Sequence, residues 1–495
     1  MDSSPLTRQS VTTSRRQFLG TSMGLLASAA LLPTPRLIRR RAIEPQRILI
    51  AGAGMAGLVA AYELERAGHE VVIFEAKTIP GGHVHTLRTP FADGLYAEAG
   101  AMFLVAHPLT LEYIRSFDLA TTPLSFRSEL GSLAHLAGQR IEQRAKQPVR
   151  WPVPLTTDEA GESIGGLQRR HFISRLQDLD TLNAPDYPQP NHLGFDDISL
   201  AELWRRNGAS PGAMRIMRLS YYDGYGDGIE HVSALQLIRE RASFRQGTPP
   251  PFQIRGGNDL LPRAFANRLS GRIHYGSPLR AVRHRTDSIE ITVEDRAGQH
   301  QVRGDQLILT LPAPLLRNVA FTPALPERRQ RAIRQLETTP MTIVHMQARE
   351  RFWEADGNDG TAHTDLPIQS IYHSTTAQTG TRGILQAVTY GPRGTRLAAM
   401  SADERLQFAV AETTKVHPRL PQYFEGGTSY SWTTDPWSLG GHVFFKPGQI
   451  REFFPYLQHP EGRVHFAGDW VGGIPGYVHG AVLSAHNVVR KIQAG

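Results

Sequence analysis

Gly52, Gly54 and Gly57, followed 18 residues later by Glu75, have types and spacing that specify a chemistry. Gly52 allows a tight turn, Gly54 lets a pyrophosphate approach the backbone, and Gly57 lets a helix pack closely on a strand. Met55 and Ala56 would open that helix, whose unpaired N–H groups and positive dipole end attract phosphate oxygens. A carboxylate at Glu75 can accept hydrogen bonds from ribose hydroxyls and disfavours a cofactor with a 2′-phosphate. The chemistry implied is dinucleotide binding. The fingerprint alone does not separate NAD from FAD.

The elements needed to position these residues are legible around them. Arg47–Ala51 reads as a strand, 58–67 as a helix closed by Gly68, and Val71–Phe74 as a second strand ending at Glu75. That predicts an α/β fold with a Rossmann-like domain. The 495 residues are about three domain lengths, and no internal repeat or heptad pattern divides them. With no cysteine in the chain, disulfides, thiolate metal sites, iron–sulfur clusters and cysteine nucleophiles are excluded. The 20 histidines show no H-E-x-x-H spacing, so no metal is expected, and the sequence offers no convincing G-x-S-x-G nucleophile elbow.

Net charge is +8, but residues 1–46 hold seven arginines against Asp2 and Glu44, leaving +3 for the remainder. Nucleic acid is therefore not an expected partner. Within that leader, Arg15-Arg16 precedes a short apolar stretch from Leu19 to Leu32 and an Ala27-Ser28-Ala29 cleavage-type site. The pattern resembles a twin-arginine export signal. It predicts the twin-arginine machinery as a partner and a periplasmic or extracellular destination for a protein folded before export.

Beyond Glu75-Ala76, the run reaches Gly81-Gly82-His83 and Thr86, then Gly100-Ala101-Met102. Gly256-Gly257, the strand-like Leu307–Pro312, Val464–Asp469 with Gly468-Asp469, and Gly476-Tyr477-Val478 follow in order. Together they resemble the flavin amine oxidase superfamily, most closely bacterial L-amino-acid oxidases, over 47–495. The resemblance implies FAD as cofactor, in a Rossmann-like domain assembled from 47–105, 251–320 and 455–495. An inserted α+β substrate domain would take 106–250 and 321–454, as a helical lobe plus a sheet. Proline-rich passages at Pro148–Pro154, Pro185–Pro190 and Thr248–Pro251 read as surface loops or lobe boundaries.

The resemblance also assigns roles. Leu279 would pair adenine, and Asp469 would follow a strand, precede a loop and hydrogen-bond cofactor hydroxyls or phosphate-bound water. Val478 would open the last helix with its N–H groups toward the flavin N1/O2 edge. Tyr477, Trp432 and Tyr372 are the candidate aromatic walls for a small-molecule amine or amino-acid-like substrate. O2 is the expected electron acceptor, giving H2O2, and a homodimer is one open option.

Three positions depart from the family pattern. Phe103 follows Met102 where amino-acid oxidases carry a carboxylate-clamping arginine, leaving Arg239 or Arg241 to replace it. A family lysine falls on Ile343, or on Thr342 with a one-residue slip. His83 replaces an arginine and is expected to meet the pyrophosphate as a titratable group. An apolar Phe103 and a missing lysine also suit a second reading, an FAD-dependent dehydrogenase or desaturase of a non-amine apolar substrate with another acceptor. A non-catalytic FAD-stabilised binding protein is a third.

Overall fold

The computed structural model describes residues 44–124, 130–175, 182, 187–220, 224–242, 244 and 249–494. The twin-arginine pattern lies outside the described residues. The β-branched run before the glycine loop forms the central strand Arg47–Ala51 of a five-stranded, all-parallel sheet. The order is Val464–Phe466, Gln306–Leu309, Arg47–Ala51, Glu70–Glu75, Ile273–Tyr275. Leu49 pairs with both Val72 and Leu307, and Leu309 pairs with Phe466, so strands from three distant stretches interlock. This is a Rossmann-like α/β arrangement, buried on both faces as parallel sheets are.

The helix Met55–Arg66 leaves the central strand through the glycine loop, and its small residues Ala56, Gly57, Ala60 and Ala61 are buried. It packs against the last helix, Val478–Ala494, in a core shared with Leu261 and Phe265. The carboxyl ends of the central strands deliver Gly52, Glu75, Thr310 and Gly468 to one edge of the sheet. Ligands of open α/β sheets bind at that edge.

A seven-stranded mixed sheet runs in the order Phe424–Ser431, Met341–Ala348, Gly383–Tyr390, Ser370–His373, Asn358–Thr364, Gly131–Leu136, Gln139–Gln143. All eight residues of Met341–Ala348 are buried, because both faces are covered. Val344, Met346 and Ala348 pack on Phe352 and Trp353, while Met341 and Ile343 face Val388 and Trp432. Helices Ile164–His171, Leu200–Arg206, Pro211–Met217 and Ala234–Ala242 pack together through Leu167, Trp204, Met217 and Leu235. Ser163, Ser199 and Ser210 cap the first three by accepting backbone N–H bonds.

One proline-rich passage differs from expectation. In 148–154, Val149 is buried and Trp151 and Val153 pack on the core, with Trp151 Nε1 donating to Glu162 O at 2.8 Å. Proline holds the chain extended, and here the residues between prolines turn their apolar side chains inward. Of Pro185–Pro190, the described part includes a buried Tyr187. Thr248 lies outside the described residues. Pro45–Gly495 forms one compact unit.

Candidate active site

The glycine loop is shaped by what cannot fit there. Gly52 has φ +107°, and a Cβ on it would stand 2.5 Å from Thr310 Oγ1. Thr310 Oγ1 donates to Ala51 O at 2.8 Å, which locks the loop to the neighbouring strand. A Cβ on Gly57 would lie 2.0 Å from Gly52 O, so helix and loop touch backbone to backbone. Gly54 is different: its Cβ position meets only Gly82 Cα, at 3.9 Å. Gly54 therefore lines open space, and no side chain caps the helix that starts at Met55. Unfilled N–H groups beside an open cradle are what a phosphate needs.

That space is a cavity of about 930 Å³. Gly52, Gly54, Met55, Ala56, Glu75, Ala76, Gly81, Gly82, His83, Gly100, Ala101, Met102, Leu279, Gly468, Asp469, Gly476 and Val478 all line it, as do Phe103, Tyr372, Trp432 and Tyr477. Gly57 stands behind the wall. Glu75 Oε2 accepts from Ala53 N at 2.6 Å and Oε1 from Lys77 N at 2.8 Å, and burial raises its pKa.

Two residues, Asp469 and His83, stand differently from the expectation. Asp469 opens the short helix Asp469–Gly472 rather than a loop, and its Oδ2 accepts the Gly476 N–H at 2.6 Å. That carboxylate tethers the segment leading to Tyr477. His83 is buried deeply enough to lower its pKa, although Gly440 O, Asp469 and Asp435 oppose the shift. Its Nε2 lies 2.9 Å from Gly440 O, so the neutral ring donates there and keeps Nδ1 as an acceptor. Trp432 is fully buried beside His83, with ring centroids 4.5 Å apart and Lys77 Nζ 4.9 Å from its ring. Its Nε1 donates to Ala99 O at 2.5 Å. These neighbours place Trp432 beside the glycine pair, and it also packs in one cluster with Tyr372, Tyr390 and Tyr430.

At the other end, Tyr477 stands between Phe244, at 5.5 Å, and Phe103, at 6.3 Å between ring centroids. The Tyr477 hydroxyl donates to Glu240 Oε1 at 2.8 Å, and Tyr225 donates to the other oxygen of that carboxylate. Burial and the adjacent carboxylate raise both phenol pKa values well above the ordinary range, so both remain protonated donors. His442 packs edge-on to Tyr225 at 5.0 Å, and burial pushes its pKa down to about 4. Tyr372 and Tyr390 complete this aromatic chamber.

The departures are also located. Arg241 lines the cavity and Arg239 does not. Neither Ile343 nor Thr342 lines the cavity: Ile343 packs behind the lining residues Met341 and Trp432, whereas Thr342 Oγ1 donates to Gly394 O. Among the described residues the one lysine lining the cavity is Lys77, paired with Asp435 at 2.6 Å. Sequence reasoning missed Glu240, His442, Tyr225, Tyr390 and Phe244. The Gly440-Gly441 pair before His442 was an available signal, since glycine beside a cavity often marks close packing.

The family profile for flavin containing amine oxidoreductase matches residues 55–493. The chain belongs to that family. It is an FAD-dependent oxidoreductase, and the open glycine cradle and the long cavity fit that cofactor. It is 31% identical over 463 residues to "Putative L-amino-acid oxidase YobN" of Bacillus subtilis (strain 168), covering 91% of this chain and 95% of the relative. An L-amino-acid oxidase of Pseudechis australis is 26% identical, covering 92% of this chain and 88% of that protein. Putrescine oxidase bound to putrescine superposes with a TM-score of 0.76 at 21% identity, covering 91% of this chain and 99% of that one. Cyclohexylamine oxidase from Brevibacterium oxydans IH-35A gives the same TM-score, identity and coverage. Both solved structures share the fold.

Proposed function

We propose that this flavoenzyme oxidises the amine-bearing carbon of a small amine or L-amino acid, or a derivative of one, in the aromatic chamber around Tyr477. The observation that carries this reading is the chamber itself: Tyr477, Tyr372, Tyr390, Phe103 and Phe244 surround one end of the cavity and Arg241 lines it. Gly54, Gly82 and the first turn from Met55 would hold the FAD pyrophosphate, and Glu75 a ribose. FAD bound there would supply a hydride acceptor at N5 for the amine-bearing carbon and a route for the two electrons to O2, giving H2O2, and the imine would hydrolyse to a carbonyl compound and ammonia.

The chain's own residues contribute binding, orientation and exclusion of water. Exclusion of water from the chamber would favour a neutral amine over a hydrated ammonium. Arg241 supplies a bidentate donor for a substrate carboxylate, in place of the arginine absent at Phe103. Export through the twin-arginine pathway is part of the proposal and rests on the Arg15-Arg16 leader pattern. A second reading, a dehydrogenase using another acceptor, is favoured by the apolar packing of Ile343.

The test is a visible spectrum of the purified protein, then anaerobic titration with amines and amino acids, then air. Bleaching by an amine with rapid recovery in air supports the oxidase. Bleaching with slow recovery supports the dehydrogenase. No bleaching by any amine overturns the amine reading.

A further inference from the structure

Arg239 is a buried guanidinium with no counter-ion among the described residues. It is 7% exposed, and among the described residues it forms no ion pair with a carboxylate. Its Cζ lies 3.7 Å from the centre of the Tyr187 ring and 5.3 Å from that of Phe454. Among the described residues Nε and Nη1 have no hydrogen-bond partner, and the guanidinium's one side-chain hydrogen bond is to Tyr187. Burying an unpaired cation is costly, by several kcal/mol for an ion of this size. Arginine cannot escape by losing its proton. Aromatic faces recover part of that cost and leave the rest outstanding.

The position of the charge suggests its use. A Cβ on Gly473 would stand 1.9 Å from Arg239 Nη1, so the guanidinium fills the space behind that glycine. Gly473 belongs to the segment Trp470–Val478, whose Trp470, Pro475, Gly476, Tyr477 and Val478 line the cavity. The last helix begins at Val478, and the charge of Arg239 helps hold the His479 imidazole neutral, its pKa pushed down to about 3 mainly by burial. Arg239 therefore sits one layer behind the wall and adds its charge to the positive end of the Val478–Ala494 helix. Groups that face Arg239 or this wall include the neutral His479 and His107, the protonated Tyr187 and Tyr477, and Glu240, which is occupied by the two tyrosines.

We propose that Arg239 acts through the Gly473–Val478 wall to stabilise the negative charge that two-electron reduction places on the flavin, and so raises its reduction potential. Hydride transfer moves two electrons and one proton from the substrate carbon, leaving the positive charge on the imine nitrogen and one negative charge on the cofactor. A fixed cation in a dry site meets that charge without reorganising. The proposal rests on the flavoenzyme reading above.

The experiment is the midpoint potential of the FAD-loaded protein against a reference dye, for wild type, Arg239→Met and Arg239→Lys. Arg239→Met keeps the packing on Tyr187 and Phe454 without the charge. At a fixed ambient potential its reduced-to-oxidised ratio should fall at least tenfold, or about 30 mV for a two-electron couple. Arg239→Lys should stay within about threefold of wild type. An unchanged potential in Arg239→Met overturns the proposal, as does an equal fall in Arg239→Lys. Loss of FAD from both Arg239→Met and Arg239→Gln also overturns it, because the role would then be structural. A wild-type potential that depends on chloride, lost in Arg239→Met, would place an anion beside Arg239 and overturn it too. Wild-type protein that binds no FAD would instead refute the flavoenzyme reading, before any variant is made.

Discussion

The Tyr477 hydroxyl donates to Glu240 Oε1 at 2.8 Å across 237 residues of sequence, and Tyr225 holds the other oxygen. One buried carboxylate thus fixes two rings of the candidate substrate chamber. Tyr477→Phe removes one charge-assisted hydrogen bond, so unfolding stability should fall by about 1.5–3 kcal/mol. Denaturant titration of the FAD-loaded protein measures it. Because the ring itself remains, kcat/KM for the best amine should fall less in Tyr477→Phe than in Tyr477→Ala.

Gly54 and Gly57 are three residues apart and should respond differently to alanine. Gly57→Ala drives a Cβ into the Gly52 carbonyl, a backbone atom that cannot move aside. It should lower both FAD retention and thermal stability. Gly54→Ala meets nothing closer than Gly82 Cα at 3.9 Å, so the apoprotein should keep its stability. Its FAD affinity should fall at least tenfold, because the methyl occupies the cradle. Flavin absorbance per protein, with a melting curve for each apoprotein, separates the two outcomes.

Arg241→Met tests the carboxylate clamp. KM for an α-amino acid should rise by about 10–100-fold, the loss of a charge-assisted pair, while KM for the matching amine without a carboxylate stays within about threefold. Equal effects on both substrates would remove Arg241 from carboxylate binding.

Glu98 gives a pH signature. It is buried, accepting from Asn258 N and Thr86 Oγ1, and burial pushes its pKa up to about 8. The folded state therefore holds a proton that the unfolded chain releases near its ordinary 4.5. Its contribution to stability is complete below pH 4.5 and is lost as pH climbs toward about 8. The difference in unfolding free energy between wild type and Glu98→Gln should change across that window and flatten above it. A difference that stays flat from pH 5 to 9 would show that Glu98 is ionised throughout.

Much of the Rossmann-like region was legible because its constraints are local. The turn at Gly52 needs a positive φ, the helix needs small residues at its start, and the strand needs a β-branched run; all three fall within 47–66. His83 shows where local reading stops. A histidine beside a glycine pair suggests a titratable group, yet its protonation depends on Gly440 and Trp432, which are some 350 residues away.

By itself, the sequence determined the glycine cradle, the acid that closes it, and the absence of thiol chemistry from a chain without cysteine. Tertiary structure alone decided that Arg241 rather than Arg239 reaches the cavity, that Ile343 rather than Thr342 packs behind the cavity-lining Met341 and Trp432, and that Glu240 anchors Tyr477. The physical reason is range. Turns and helix starts are set by backbone sterics over a few residues, whereas burial, charge pairing and the side a strand presents depend on partners supplied by packing.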